Sequence, residues 1–307
     1  MVDRVVGLLA DAPPGPIIDC TLGAAGHAAA ITRTRTARGL STSLVGIDRD
    51  ADALALARQR LSDIDAPTEL IQARFDALAD VLDELGIQRP AGVLYDLGIS
   101  SMQVDRPDRG FSYRHEGPLD MRMDPTSGRS AADIVNEADQ QELGRVISRY
   151  GEERFASRIA AAIVANRPLS TTRELAEVVR DAIPAAARRT GPHPATRTFQ
   201  ALRIAVNAEL EALEASLPQA LERLMAGGVC VVLAYHSLED RIVKRTFADA
   251  ARGCICPPRL PVCGCGRQPL VEVLTRRPER PRDAEVAANP RARAARLRAA
   301  RRLEVPA

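Results

Sequence analysis

The sequence predicts an α/β fold in which a parallel sheet is interrupted by an all-helical insertion. A glycine-rich turn joins an apolar strand to a helix at 17–30, and strands and helices then alternate as far as Asp96. Helical periodicity fills most of 131–184, with no strand before the apolar run at 229–234. Strands that alternate with helices at this spacing are typical of a parallel sheet.

The turn at 17–27 has the sequence IIDCTLGAAGH, which predicts a strand, a tight loop and the start of a helix. Glycines in such a loop allow a ligand to approach the backbone closely. The first helical turn offers N–H groups as donors. This arrangement indicates a nucleotide-like cofactor, although a Gly-x-x-Gly turn also occurs in ordinary strand-helix connections.

A second apolar strand ends in Asp48, 25 positions after Gly23. A carboxylate at this position can accept hydrogen bonds from ribose hydroxyls, so an adenosyl cofactor is favoured. Nicotinamide dinucleotides use the same geometry, but the loop lacks the full Gly-x-Gly-x-x-Gly pattern and Asp19 would repel a pyrophosphate. The ammonium and sulfonium groups of S-adenosylmethionine suit Asp19 better, which favours methyl transfer over hydride transfer.

Two more strands are predicted at 68–73 and 92–98, and the second of these contains Asp96 near its end. Ligands of open α/β sheets bind at the carboxyl edge of the strands. We therefore expect Asp19, Asp48 and Asp96 to form one group at that edge.

An irregular segment follows at 99–129, and long loops inside a compact domain are usually functional or linkers. Helices are then predicted up to Pro184, one of them starting at Thr171 or Thr172 with Glu174 as its capping partner. We predict three segments: a first part of the cofactor-binding sheet domain, an inserted helical substrate-recognition domain, and a second sheet part with a basic tail, at 1–105, 106–200 and 201–307.

After the insertion, apolar residues at steps of three and four from Leu202 to Leu224 predict one long helix or a pair broken near Pro218. A buried strand follows at 229–234, and its end carries the polar sequence YHSLEDR at 235–241. A lone histidine is more often structural than catalytic, but His236 shares the expected ligand edge, so we favour a role in the site.

Composition and charge exclude some classes of protein. The chain has 307 residues, 46% hydrophobic and 27% charged, which is enough to bury a substantial core. Its longest apolar runs are too short to cross a bilayer, and no secretory apolar core follows Met1. We expect a cytoplasmic protein that does not bind membranes. The net charge is +2, yet 267–302 holds eleven arginines against four acids, which points to a polyanionic partner.

Four of the six cysteines lie close together, at Cys254, Cys256, Cys263 and Cys265. They could close a small zinc knuckle, but Cys-x-Cys is tighter than the usual ligand spacing. We favour a reduced loop without metal and predict no metal site.

Six motifs of the chain resemble the RsmH (MraW) family. They are TLGAAGH at 21–27, DLGISS at 96–101 with Gln103, GFSY at 110–113, LDMRMD at 119–124, YHSLEDR at 235–241 and NPRAR at 289–293. The resemblance spans nearly the whole chain. It implies a Rossmann-like class I methyltransferase sheet domain with an inserted all-helical domain, and S-adenosylmethionine-dependent methylation of a cytosine N4 in the decoding region of 16S ribosomal RNA.

The resemblance also implies site residues. The cofactor contacts that it implies are Ala25, Gly26, His27, Asp48, Phe75, Asp96 and Gln103. For catalysis we expect Asp96 to contact the cofactor, hold an amino hydrogen of cytosine, or both, with His236, Glu239 and Asp240 as second candidates. We hypothesise that the cytosine is turned out of its stack to reach them.

The sequence departs from the family pattern in two places. The family usually has glycine where Ala24 and Ala25 stand, and a His-x-Pro-Val segment before the first helix where this chain begins Met1-Val2-Asp3. The second departure fits a truncated or misassigned start. Two alternatives stay open. The same cofactor-binding half would support a methyltransferase that acts on DNA or another RNA, and the two departures suggest a ribosome-assembly factor that has lost turnover.

The expected partner is 16S ribosomal RNA within the small ribosomal subunit, and a homodimer is a possible further state. We predict that 291–302 forms a helix whose arginines bind RNA phosphates. Such contacts make binding strongly dependent on salt concentration.

Overall fold

The computed structural model describes residues 1–188, 193–256 and 264–304. Within them, one seven-stranded sheet has the order β3-β2-β1-β4-β5-β7-β6. The strands are β1 (Ile17–Asp19), β2 (Leu44–Asp48), β3 (Thr68–Gln72), β4 (Gly92–Asp96), β5 (Val229–Ala234), β6 (Val271–Val273) and β7 (Arg296–Arg302). Strands β1 to β5 pair in parallel, whereas β7 runs antiparallel to β5 and β6.

Fourteen α-helices accompany the sheet in the described part of the chain. They are α1 (Val2–Ala10), α2 (Gly26–Ala37), α3 (Ala51–Leu61), α4 (Leu78–Glu84), α5 (Ser101–Asp105), α6 (Ala131–Glu137), α7 (Gln140–Gly151), α8 (Ala156–Ala165), α9 (Thr172–Ala182), α10 (Ala185–Arg188), α11 (Thr196–Asn207), α12 (Glu209–Arg223), α13 (Ser237–Ala250) and α14 (Asp283–Ala288). Short 3₁₀ turns occur at Phe75–Ala77, Pro107–Arg109 and Pro290–Ala294.

The sheet is Rossmann-like, as the sequence predicts. Strand β1 lies between β2 and β4, and all three of its residues are buried. Strand β5 is buried along its whole length, which explains its continuous apolar sequence. Because β1, β2 and β4 run in parallel, their carboxyl ends meet at one edge of the sheet.

The chain divides into two compact units. The first consists of Met1–Gly98 and Leu210–Ala307, and the second of Ile99–Glu209. The first unit contains the sheet, with apolar clusters on both of its faces. The second unit has its own apolar core, formed by residues of α6, α7, α8, α9 and α11 together with Leu119, Met121 and Met123.

Local sequence explains where helices of the second unit begin. Ser130 and Asp133 form a capping box at the start of α6, and Thr171 and Glu174 form another at the start of α9. Each box satisfies backbone N–H groups that a helix start leaves without partners. The predicted helix start at Thr171 is confirmed.

The helical run between Leu202 and Leu224 is broken at a different place from the one predicted. Helix α11 ends at Asn207, Ala208 adopts a left-handed conformation with φ 48°, and α12 then continues through Pro218. The prediction of a break near Pro218 is therefore wrong. Helices commonly end at a left-handed residue, and alanine gives no sequence cue for that conformation at position 208.

The C-terminal tail corrects a second prediction. Residues 296–302 form β7 between β5 and β6, so the helix predicted at 291–302 is wrong. Leu297, Ala299 and Ala300 are fully buried in the sheet. Pairing with two strands outweighs the helix propensity of an Arg/Ala sequence. Whether the arginines of 291–302 bind RNA phosphates stays a prediction, and two of them, Arg296 and Arg298, pair with Asp240 in the structure.

Candidate active site

Asp19, Asp48 and Asp96 end β1, β2 and β4 at the same edge of the sheet, as predicted. The loop 20–25 follows β1 and leads into α2. The charges of Asp48 and Asp96 both act on Asp19. The three carboxylates thus form a single electrostatic group.

Asp48 fixes the glycine-rich loop. Its Oδ2 accepts a hydrogen bond of 2.7 Å from the backbone N–H of Gly23, and its Oδ1 accepts one of 2.9 Å from Asp50. Burial raises the pKa of Asp48, and these N–H groups oppose the rise. A carboxylate accepts up to about four hydrogen bonds, so Asp48 retains capacity for ribose hydroxyls.

The predicted loop contacts Ala25, Gly26 and His27 are consecutive at the start of α2. Ala25 is the residue before the helix, fully buried and left-handed with φ 58°, and Gly26 begins the helix. The left-handed region is one that glycine adopts most easily. Alanine therefore keeps here the conformation that a glycine would supply.

Asp96 is held from two sides. The hydroxyl of Tyr235 donates to its Oδ1 at 2.8 Å, and Nδ1 of His27 lies 3.3 Å from its Oδ2. Its backbone N–H donates to Oγ1 of Thr21 at 2.6 Å, which joins β4 to the loop after β1. The Asp96 side chain is 29% exposed, so it stays accessible to a ligand.

Tyr235 and Thr21 are not among the predicted site residues. Tyr235 directly follows β5, the strand beside β4, and burial raises the pKa of its hydroxyl further above the ordinary value. The hydroxyl therefore stays protonated and donates. The position of a tyrosine at the tip of the strand next to Asp96 was the cue that could have identified it.

Asp19 is buried, with 2% of its surface exposed. Burial raises its pKa from 3.8 to about 7, with further increases from Asp96 and Asp48, while His27 and the Thr21 N–H oppose the rise. Near neutral pH the group is therefore poised between its neutral and charged forms. A cationic ligand would favour the charged form.

His27 balances part of this negative charge. Burial lowers its pKa, but the hydrogen bond and charge of Asp96 and the charge of Asp19 outweigh burial, so the net shift is upward. Its Nε2 is buried and has no hydrogen-bond partner among the described residues. A buried polar nitrogen of this kind is normally paired, so a ligand atom is the partner that we expect.

The two remaining predicted cofactor contacts, Phe75 and Gln103, belong to different units of the chain. Phe75 follows β3, and its ring packs edge-on against Tyr95 with centroids 5.8 Å apart. Gln103 belongs to the second unit, where its Oε1 accepts from the N–H of Ser100 and completes the capping box of α5. Contact of either side chain with a cofactor stays a prediction.

His236 and Glu239 form the capping box of α13. Oε2 of Glu239 accepts from the N–H groups of Tyr235 at 2.8 Å and His236 at 3.2 Å, and Nδ1 of His236 accepts from the Glu239 N–H at 3.4 Å. These bonds fix the turn from which the Tyr235 side chain extends.

Asp240 pairs with two arginines of β7. Nε of Arg298 donates to its Oδ1 at 2.6 Å, and Nη1 of Arg296 donates to its Oδ2 at 3.2 Å. Burial raises its pKa, but the two guanidinium groups outweigh burial and the net shift is downward. Asp240 thus connects α13 to β7.

A family model described as the MraW methylase family matches residues 1–303. The chain belongs to the MraW methylase family. The sheet confirms the Rossmann-like class I methyltransferase fold that the family resemblance implies. Within the described residues, no helix of this MraW methylase family member combines the length and apolar character needed to cross a bilayer.

Two relatives of this family member carry the name "Ribosomal RNA small subunit methyltransferase H". The protein from Symbiobacterium thermophilum is 52% identical over 307 residues, covering 99% of this chain and 96% of the relative. The protein from Thermobifida fusca is 54% identical over 312 residues, covering 100% and 93%. A solved rRNA methylase from Streptococcus thermophilus is more distant, at 13% identity, a TM-score of 0.43 and coverage of 98% and 95%.

Proposed function

We propose that this chain methylates N4 of a cytosine in the decoding region of 16S ribosomal RNA, within the small ribosomal subunit in the cytoplasm. S-adenosylmethionine is the methyl donor. The observation that carries the proposal is the naming of full-length relatives at about half identity as small-subunit rRNA methyltransferases. Membership of a methylase family supports the reaction class.

The residues at the sheet edge fit this cofactor. Asp19, Asp48 and Asp96 supply negative charge that His27 only partly offsets, which suits a ligand carrying ammonium and sulfonium groups. Nε2 of His27, which has no partner among the described residues, can donate to a carboxylate when the ring is protonated, and the upward shift of the His27 pKa favours that form. The bound cofactor would supply an electrophilic methyl group on sulfur.

Each predicted contact then has a role. We assign the backbone of Ala25, Gly26 and His27 to the methionine part, and Asp48 to the ribose. Phe75 would lie against the adenine, and we retain Gln103 as a further contact on the strength of the family resemblance.

Asp96 is the catalytic residue in this proposal. The amino nitrogen of cytosine is a poor nucleophile because its lone pair is delocalised into the ring. An acceptor that holds one amino hydrogen opposes this delocalisation and aligns the nitrogen for attack. Tyr235 and His27 fix the two oxygens of Asp96 in advance, so little reorganisation is needed.

For His236, Glu239 and Asp240, the contacts support positioning roles. His236 and Glu239 build the turn that presents Tyr235 to Asp96. Asp240 holds that helix against β7. We propose that the helical insertion recognises the RNA and that the sheet domain binds the cofactor, as the segments 106–200, 1–105 and 201–307 predict. A homodimer is part of the proposal only as a state to be measured.

The test is a map of methylated cytosines in 16S rRNA from cells with and without this protein. We expect one cytosine in the decoding region to lose N4-methylation without the protein and to regain it when the protein is supplied. An unchanged map, with methylation found instead in DNA or another RNA, would replace this function. A cofactor-binding protein that never transfers a methyl group would indicate an assembly factor.

A further inference from the structure

Three cysteine sulfurs meet in the connection between α13 and β6. The Sγ atoms of Cys254, Cys256 and Cys265 lie within 4.8 Å of one another, and those of Cys254 and Cys265 are 3.8 Å apart. A disulfide bond is about 2.05 Å long, so this distance does not describe one. Cys263, the fourth cysteine of this part of the sequence, lies outside the described residues.

The spacing of the sulfurs matches the geometry of a zinc site. Zinc binds thiolates at about 2.3 Å in a tetrahedron, which separates two ligand sulfurs by about 3.8 Å. The distance between Cys254 and Cys265 has this value. The Sγ of Cys256 also lies within 4.8 Å of both, so the tight Cys-x-Cys spacing does not keep its two sulfurs apart.

Hydrogen bonds around the sulfurs resemble those of a metal knuckle. The N–H of Cys256 donates to Sγ of Cys254 at 3.4 Å. Such a bond stabilises negative charge on sulfur and orients a ligand in the way that surrounding groups support metal sites. Glycines flank the cluster, and Gly266 is left-handed with φ 61°, which allows the chain to turn sharply after Cys265.

The two ends of this connection are already joined. The N–H of Leu270 donates to the carbonyl of Ala250 at 2.7 Å, and Arg267 donates to both the carbonyl and the carboxylate of Asp249. These bonds keep Cys254 and Cys265 close although eleven positions separate them. These hydrogen bonds already close the loop, so a metal ion that binds there has a smaller entropic cost of loop closure to overcome.

We propose that Cys254, Cys256 and Cys265 supply three of the four ligands of a structural zinc ion. Thiolate sulfur is a soft ligand that favours zinc over magnesium or calcium, and a set of thiolates is typical of structural rather than catalytic sites. The ion fixes the connection between α13 and β6. The sequence alone favours a metal-free loop because Cys-x-Cys is tighter than the usual ligand spacing, and spacing does not show how the sulfurs converge in space.

Elemental analysis of the full-length protein, purified under reducing conditions without chelators, tests this directly. We expect about one zinc ion per chain in the wild type and loss of at least most of it in Cys254→Ser and in Cys265→Ser. Cys230→Ala is the matched control, because Cys230 is buried in β5 far along the chain from the cluster. It should keep its zinc. Circular dichroism shows whether each variant is folded.

A second measurement uses only wild-type protein and therefore tests the proposal even if a serine variant fails to fold. Wild-type protein stripped with a chelator and titrated with cobalt should develop the charge-transfer absorption of thiolate-bound cobalt, and zinc should abolish that absorption. The proposal is overturned if wild-type protein contains no zinc and binds none on titration. It is also overturned if the sulfurs hold iron, or if Cys254→Ser and Cys265→Ser retain the full amount of zinc.

Discussion

At the scale of single residues, the proposed catalysis depends on how Asp96 is oriented. Its Oδ1 accepts from Tyr235 and its Oδ2 faces His27, so neither oxygen depends on solvent for its position. Hydrogen bonds to charged groups contribute about 1.5–3 kcal/mol. Loss of one such bond should therefore be visible in the rate of methyl transfer.

We predict that Tyr235→Phe lowers kcat for methyl transfer by about ten- to a hundredfold, because Asp96 loses one of the groups that orient it. The KM for S-adenosylmethionine should change much less. Tyr113→Phe is a matched control, since the Tyr113 hydroxyl pairs with Thr196 in the second unit. Equal effects of the two substitutions on kcat would argue against the role of Tyr235.

Asp19 makes stability depend on pH. Its folded pKa of about 7 lies above its ordinary value of 3.8. Between these pH values the folded chain holds a proton that the unfolded chain has lost, so the free energy of unfolding falls as pH rises toward 7. This penalty, the loss of unfolding free energy that comes from burying the charged form of Asp19, is absent below pH 4 and complete above pH 7.

We expect Asp19→Asn to remove this penalty. The gain in unfolding free energy over the wild type should be about 2–3 kcal/mol greater at pH 8 than at pH 5. Urea unfolding at the two pH values measures it, and Asp65→Asn, at an exposed position, is the control. Parallel pH profiles for wild type and Asp19→Asn would show that Asp19 titrates normally.

At the scale of elements, close packing at one glycine positions the loop 20–25 after β1. A Cβ atom at Gly46 in β2 would lie 2.6 Å from Cδ2 of Leu22, which is itself 3% exposed. Leu22 belongs to the loop whose next residue, Gly23, donates to Asp48. The absence of a side chain at position 46 therefore determines how close the loop lies to the sheet.

Gly46→Ala should lower the free energy of unfolding by about 1–3 kcal/mol through overpacking. Gly7→Ala is a useful comparison, because Gly7 lies in α1 with nothing within 4 Å of its added Cβ. In that helix alanine should stabilise by about 0.5–1 kcal/mol. Denaturant unfolding of both variants checks the prediction, and a stabilising Gly46→Ala would contradict it.

The ion pairs of Asp240 with β7 indicate a structural role for this residue, and a substitution can distinguish that role from a catalytic one. Asp240 and Arg298 are 13% and 8% exposed, and removal of one partner of a buried pair costs about 3–5 kcal/mol. We predict that Asp240→Asn loses about this amount of stability while its folded fraction transfers methyl groups at a near-normal rate. Asp63→Asn is the control, since its pair with Arg33 is exposed and contributes under about 1 kcal/mol. A loss of rate at unchanged stability would make Asp240 catalytic.

Sequence patterns predicted the elements whose burial is regular. Strand β5 was placed correctly because a fully buried strand is continuously apolar. Strand β7 was missed because its buried residues, Leu297, Ala299 and Ala300, stand among arginines whose partners lie far away in the chain. Tyr235 was missed as a site residue for the same reason, since its partner Asp96 is 139 positions away.

At the scale of the whole molecule, the insertion follows from the order of strands along the chain. The chain leaves the sheet after β4 and returns to it at β5, the neighbouring parallel strand. The residues between carry their own apolar core in the second unit. The sequence predicts this organisation because it shows no strand between 99 and 228. The helix break at Ala208 is not predictable in the same way, since it depends on the backbone conformation of one residue.

We propose that Asp96 promotes transfer of a methyl group to a cytosine amino nitrogen. The most direct measurement uses small ribosomal subunits lacking the modification, labelled S-adenosylmethionine, and wild-type or Asp96→Asn protein. We expect labelled N4-methylcytidine in the decoding region with the wild type, and a rate at least about a hundredfold lower with Asp96→Asn at saturating cofactor. A wild-type rate for Asp96→Asn, or a label on any atom other than N4, would contradict it.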